Sequence, residues 1–363
     1  MSGGIAVQSL TLTLGGFRLD KLDFAVAGHE IVVILGPNGA GKSVTLETIA
    51  GFHRPDGGRV LIGGRDVTAL PPERRNIGFV VQQFGLFPHL NVERNVAIAR
   101  RKHRSPAART AALPPADDAA ALLAYFGVAR LARRMPEDLS PGEKQRVALA
   151  RAVAAAPDLF LFDEPFSALD TQTRVELRDE LLSYLRALAI PAIFVTHDYT
   201  DALTLADRIV VLRDGAAVQI GPAAEIFHRP ANAFVARFVG VENVIDASVV
   251  TASGAMATLA VGDQLLRAAL PPHWQGAPQR VRLGIRAEQV VVAPPAEAAP
   301  SPAVNRLTGR VTGLRTLGPL VRIEIDCGFA LQAYLLGPQA LNLAAGSAVT
   351  AAIAVDAIAV MPD

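Results

Sequence analysis

From Gly36 to Ser43 the chain reads GPNGAGKS, the spacing G-x-x-x-x-G-K-S that can hold phosphate. Such a glycine-rich turn offers backbone N–H groups to an anion, the Lys42 ammonium reaches β- and γ-phosphate oxygens, and the Ser43 hydroxyl ligates magnesium. The cradle consists of Gly36, Pro37, Asn38, Gly39, Ala40 and Gly41, and it continues into Lys42, Ser43 and Val44. A second group lies in LFLFDEPFSALD, where Asp163 and Glu164 follow the apolar run Leu159 to Phe162. Asp163 can hold magnesium through water, and Glu164 can orient and polarise the water that attacks a γ-phosphate in line. Two adjacent carboxylates at a strand end repel each other unless a cation sits with them. In AIFVTHDYTDAL another apolar run closes on His197, which can donate a hydrogen bond to a phosphate oxygen.

These side chains work together only if strands deliver them to one edge. Ile31 to Leu35 predicts a buried strand before the loop, with a helix after it, and the runs ending at Asp163 and His197 predict two more strands. Ligands of α/β sheets sit at the carboxyl ends of parallel strands, where all three runs would place their polar residues. A helix is announced by DLSPGEKQRVALARA, because Ser140 and Glu143 have capping-box spacing and Pro141 occupies the first helical position. Val147, Leu149, Ala150 and Val153 predict its inward stripe, with Lys144, Gln145, Arg146 and Arg151 more polar. Gly142 leaves the first turn bare, where free N–H groups and the helix dipole suit an anion.

The chain of 363 residues is long enough for two domains, each with a core. A net charge of +1 shows no preference for polyanions, and the single cysteine, Cys327, excludes an internal disulfide. Apolar residues make up 51%, yet no run of about 18 of them appears, so no membrane span is expected. MSGGIAVQSLTLTLGG has no basic segment leading into an apolar one, which predicts no secretory signal and a cytoplasmic protein. The cluster Arg100, Arg101, Lys102, His103 and Arg104 lacks interleaved aromatics and is followed by acids, so it reads as a solvated helix face and not as a nucleic-acid patch.

In this order the motifs resemble the nucleotide-binding subunit of an ABC transporter over nearly the whole chain. VVQQFGLFPHL is similar to the family's Q-loop with Gln82 as its glutamine, SALD (Ser167 to Asp170) to the D-loop, and LSPGE to the signature LSGGQ. The resemblance implies an α/β P-loop ATPase domain over residues 1–235, with a helical subdomain at about 90–157, that binds ATP and Mg2+. It implies catalytic roles for Glu164, His197 and Gln82, magnesium at Ser43, Gln82 and Asp163, and nucleotide contacts at residues 36–44, Ser140, Gly142 and Asp170. Ser140 and Gly142 would be half of a composite site, closing head to tail over the γ-phosphate held by a second copy. Pro141 and Glu143 depart from the signature, and Val44 replaces a threonine. Leu14 stands where an adenine-stacking aromatic is expected, with Phe17 as the substitute.

The remainder also follows the family, beginning with a mostly helical insertion from about Leu90 to Met135. Residues 236–363 change to short alternating strands, interrupted by the flexible-looking VVAPPAEAAPSPA. They resemble the all-β, OB-like regulatory domain of importer ATPases, to which LGIRAEQVVV is similar. IAGFHRPDGGRV, GVENVI and GRVTGLRTLGPLVRIEIDCG are similar to the molybdate and tungstate branch. That branch's oxyanion motif Ser-Ala-Arg-Asn-x-Leu-x-Gly reads Pro302, Ala303, Val304, Asn305, Arg306, Leu307, Thr308, Gly309 here, without its serine and arginine. The partners implied are a second ATPase subunit, membrane permease subunits docking on apolar Phe84, Leu86 and Phe87, and indirectly an external solute-binding protein, with peripheral placement on the cytoplasmic face of the membrane. A soluble ABC ATPase acting on nucleic acid is disfavoured by the single cassette and lone cysteine. A sensor with a structural nucleotide is disfavoured by Glu164 and His197.

Overall fold

The structure, a computed structural model, describes residues 4–99, 118–167, 169–271, 274, 280–295 and 303–362. The basic cluster Arg100 to Arg104, Ala168 and Pro302 lie outside them. The chain divides into two compact units, Met1–Ala223 and Ala224–Asp363.

The first unit opens with β1 (Ile5–Leu14), β2 (Phe17–Val26), β3 (Ile31–Leu35), α1 (Lys42–Ala50), β4 (Gly57–Ile62), β5 (Arg65–Asp66) and β6 (Ile77–Val80). Three helices follow: α2 (Val92–Ala97), α3 (Ala119–Tyr125) and α4 (Pro141–Ala154). It closes with β7 (Leu159–Asp163), α5 (Thr171–Leu188), β8 (Ala192–Thr196), α6 (Tyr199–Leu205), β9 (Arg208–Arg213) and β10 (Ala216–Pro222). The central sheet runs β10-β9-β3-β8-β7-β6, parallel from β9 to β6. Every residue of β3 and β8 is buried, as in a sheet covered on both faces, where strands need no polar alternation. Phe162 and Phe194 stack across β7 and β8 with centroids 4.3 Å apart. A separate antiparallel sheet, β2-β1-β4-β5, completes the unit.

The capping box at α4 forms: Ser140 Oγ accepts from the Glu143 N–H at 3.3 Å, and Glu143 Oε2 accepts from the Ser140 N–H at 3.0 Å. Gln145, expected among the polar residues of this helix, is instead fully buried. The reason is packing on more than one side, since α2, α3 and β6 all contact α4.

The second unit holds α7 (Ala223–His228), α8 (Ala233–Phe238), β11 (Asn243–Ser253), β12 (Met256–Val261), β13 (Gln264–Ala269), β14 (Arg280–Ile285) and β15 (Val290–Ala293). It continues through β16 (Val304–Leu317), β17 (Leu320–Asp326), β18 (Ala330–Leu336), α9 (Gly337–Ala340), β19 (Ala348–Ala354) and β20 (Ile358–Pro362). Two antiparallel sheets result, β13-β12-β11-β14-β20 and β15-β19-β16-β17-β18. They are one motif repeated, β11 to β15 and β16 to β20, with the fifth strand of each repeat exchanged into the sheet of the other.

Matching asparagines open the repeats. The buried Asn243 amide accepts from Gln332 N at 2.6 Å and donates to Gln332 O at 3.0 Å. Buried Asn305 does the same with Arg267 N at 2.7 Å and Arg267 O at 2.9 Å. The two compact units part after Ala223. Residues beyond Ala223 belong with the β-rich unit because Arg286 donates to Phe227 O and Val239 O, and α8 packs on β11 and β14.

Candidate functional site

Four adjacent parallel strands, β3, β8, β7 and β6, present their carboxyl ends side by side. Each carries one chemical element. Gly36 to Gly41 follow β3 and lead into α1, whose first turn holds Lys42, Ser43 and Val44. His197 follows β8, Asp163 ends β7 with Glu164 after it, and Gln82 lies just past β6.

The loop's glycines are required by geometry. Gly41 has φ 98°, a left-handed conformation, and a Cβ there would lie 2.3 Å from Phe17 Cζ. A Cβ on Gly36 would lie 2.4 Å from Leu212 O. α1 therefore begins with no side-chain cap, and its N–H groups stay available to an anion. Lys42 folds back over the loop, donating to Gly36 O at 2.9 Å and Pro37 O at 3.0 Å. Burial pushes its ammonium below the usual range, while Glu164 and Asp163 oppose that shift.

Ser43 Oγ donates to Asp163 Oδ1 at 3.1 Å. Burial raises the Asp163 carboxyl, and Glu164 and Glu47 add to the effect against the Ser43 hydrogen bond. This excess of negative charge is what a divalent cation relieves, and hydroxyl, carboxylate and amide oxygens are the donors magnesium takes. Among the described residues no group of three or more His, Cys, Asp or Glu could hold a metal.

Glu164 stands at the centre of the second cluster. Its Oε2 accepts from Gln82 Nε2 at 3.2 Å, and its Oε1 lies 2.9 Å from His197 Nδ1. Gln82 keeps its carbonyl oxygen and His197 its other ring nitrogen for a ligand. Glu164 has φ 44°, and its N–H donates to Val195 O at 3.0 Å. Ser167 Oγ donates to Glu164 O at 3.0 Å.

The other expected residues stand apart from this cluster. Asp170 caps α5, accepting from Thr173 N at 3.0 Å. Ser140 and Gly142 start α4, and among the described residues no hydrogen bond ties either to the phosphate loop; a Cβ on Gly142 would instead lie 3.2 Å from Thr173 Cγ2. Leu14 is exposed, and Phe17 is half-buried with its ring against Gly41. Phe87 is exposed, while Phe84 and Leu86 are half-buried.

Sequence reasoning missed the contacts of four residues beside the site. Arg174 of α5 donates to Asp198 Oδ2 at 3.2 Å, and Asp198, next to His197, caps α6 through Oδ1, which accepts from Thr200 N at 2.7 Å. Fully buried Asn95 holds Phe87 by both backbone groups, and Arg151 holds Phe84 O at 2.9 Å. Only Asp198 carried a signal, as a helix-capping type before an apolar run.

Comparison with known proteins identifies the family. The ABC transporter family profile matches residues 19–167, and the TOBE domain profile matches residues 283–361. The molybdate/tungstate import ATP-binding protein WtpC of Pyrococcus horikoshii is 37% identical over 361 residues, covering 99% of this chain and 100% of that one. The sulfate/thiosulfate import ATP-binding protein CysA of Mycobacterium tuberculosis is 43% identical over 251 residues, 69% of this chain and 70% of that one. The dimeric structure of MJ0796, a bacterial ABC transporter cassette, superposes with TM-score 0.52 at 31% identity, covering 60% of this chain and 98% of that one.

Proposed function

This chain belongs to the ABC transporter family, as the ATP-hydrolysing subunit of an importer, and from that premise we propose that it powers uptake of molybdate or tungstate through a membrane permease. The observation that carries the hydrolytic reading is Glu164 held between Gln82 and His197, beside the Ser43–Asp163 pair. The triphosphate of ATP lies along residues 36–41, and the Lys42 ammonium exchanges the carbonyls of Gly36 and Pro37 for β- and γ-phosphate oxygens. Ser43, Gln82 and Asp163 are the residues suited to hold Mg2+, which when bound supplies charge neutralisation for the phosphates. Glu164 orients the attacking water and accepts its proton, and His197 faces a γ-phosphate oxygen with the ring nitrogen that points away from Glu164.

Ser140 and Gly142 act on a second copy. Among the described residues no hydrogen bond ties their helix end to the phosphate loop of the same chain, and the solved cassettes it is similar to are dimeric. Asp170 orders the segment between Glu164 and α5 beside that interface. The permease docks at Phe87, which places the protein on the cytoplasmic face of the membrane; among the described residues no helix is long and apolar enough to cross it. Molybdate or tungstate is the favoured solute because the WtpC likeness runs through both units.

The test is Glu164→Gln in the assembled transporter. Turnover should fall about 10²- to 10⁴-fold with ATP still bound, whereas Lys42→Ala should lose ATP. Uptake measured with molybdate, tungstate, sulfate, ferric iron and spermidine identifies the solute. A Glu164→Gln variant that hydrolyses ATP within a few-fold of the wild type overturns the catalytic assignment.

A further inference from the structure

The segment after Gln82 is strained and is held from outside. Phe84 and Gly85 have φ of 62° and 56°, two successive left-handed residues, and phenylalanine adopts that conformation only when its surroundings impose it. Both carbonyls meet the same side chain: Arg151 Nη2 donates to Phe84 O at 2.9 Å and Nη1 to Gly85 O. The guanidinium also lies 5.6 Å from the centroid of the Phe87 ring. A planar fork with fixed donors suits two neighbouring acceptors, and its aromatic contact adds to the hold. At φ 56° the backbone of Gly85 favours glycine, and a Cβ there would lie 3.0 Å from Val81 Cγ2. On the other side, Asn95 of α2 fixes Phe87 N at 2.8 Å and Phe87 O at 3.1 Å.

Arg151 stands on α4, the helix that Ser140 caps. A helix of this kind is stiff along its axis, and Ser140 and Arg151 are about 16 Å apart at ~1.5 Å per residue. One end of α4 therefore grips the loop that carries Gln82, and the other carries the half-site for a second copy.

We propose that Arg151 is a positioning residue that ties the Gln82 loop to α4, so that Gln82 reaches Glu164 only when α4 is in register with the central sheet. This inference rests on the ATPase reading of the Gln82–Glu164–His197 cluster. Arg151 acts through the loop backbone, whose carbonyls its guanidinium holds.

The experiment compares the full-length wild type with Arg151→Met and Arg151→Lys, measuring kcat, KM for MgATP, ATP affinity and amide hydrogen exchange over residues 82–88. The methionine variant should lose about 10- to 100-fold in kcat, the scale of a misplaced catalytic group, with ATP affinity within about two-fold. Exchange at Phe84 and Gly85 should rise about ten-fold or more, as expected when the opening of a strained loop becomes easier. Lysine keeps the charge and most of the stem but lacks the fork, so it should recover part of kcat. If the methionine variant does not fold, the lysine variant decides: kcat must fall at least about three-fold with ATP affinity unchanged. Lysine or methionine variants that turn over like the wild type, or that lose ATP binding and kcat together, overturn the proposal. Glu164→Gln run alongside separates the two readings. If it is inactive while the Arg151 variants are normal, only the role of Arg151 fails; if it is active, the catalytic cluster itself has been misread.

Discussion

Glu164 occupies a backbone conformation that ordinary residues avoid. At φ 44° it carries about 1–3 kcal/mol of strain, offset by its N–H to Val195 O and by Ser167 on its carbonyl. Its place after an apolar strand was legible; its strain was not, since nothing in DEPFS demands a left-handed residue. Gly41 makes the opposite case. The glycine spacing announced the loop, but the neighbour that enforces it, Phe17, is far away in sequence. Gly41→Ala should therefore lower stability by at least about 1 kcal/mol, from left-handed strain plus the Phe17 clash, and should weaken ATP binding. A thermal melt and an ATP titration check this. Phe17→Ala added to it should relieve the clash and leave the strain, giving partial recovery.

Among the elements, the strands were the most legible, because β3, β7 and β8 are short apolar runs that each end in a chemical residue. The links between helices were not. Arg174 and Asp198 lie on α5 and next to α6, and an ion pair across that separation leaves no periodic trace. Burial raises the Asp201 carboxyl, and Asp198 beside it adds to that shift against Arg174 and Arg178, so the four groups form one network at the α5–α6 contact. Arg174→Gln frees Asp198 from one partner while its capping oxygen still bonds Thr200. That change should loosen the segment carrying His197, lowering kcat about 3- to 10-fold with little change in KM, the signature of an interaction made in the transition state. Combined with Asp198→Asn, the losses should be non-additive by about 0.5–2 kcal/mol, as for residues in one network; steady-state kinetics of the cycle measures it. Additive losses would mean that the pair does not couple α5 to His197.

At the scale of the molecule, a change of sequence texture announced the β-rich unit but not its internal duplication. VENVIDA and AVNRLTG share little beyond an asparagine and alternating apolar residues, and the likeness appears only when Asn243 and Asn305 are seen making the same backbone clamp. The Asn305 amide is taken up by Arg267, while Arg306 and Arg310 point to the exposed side of β16. Val304 supplies no charge where the molybdate branch has arginine. Losing one hydrogen bond to a charged group, about 1.5–3 kcal/mol, weakens binding roughly 10- to 150-fold. Micromolar molybdate should therefore leave ATP hydrolysis by the assembled full-length transporter unchanged, and a titration of ATPase rate against molybdate checks it. Tight inhibition would reveal an oxyanion site built from other residues.

The exchanged fifth strands also set a timetable for synthesis. β14 cannot gain its outer neighbour until the chain has been made from Val281 to Pro362. At about 5–20 residues per second that is a wait of roughly 4–16 s, during which the edge of β14 is open to any extended peptide nearby. In the first unit β3 waits longer still for its neighbours, since it ends at Leu35 while β8 begins at Ala192 and β9 at Arg208, but both have emerged by Arg213, before any strand of the second unit. The nucleotide-binding half can be folded on the ribosome while the β-rich half still waits for its last strand.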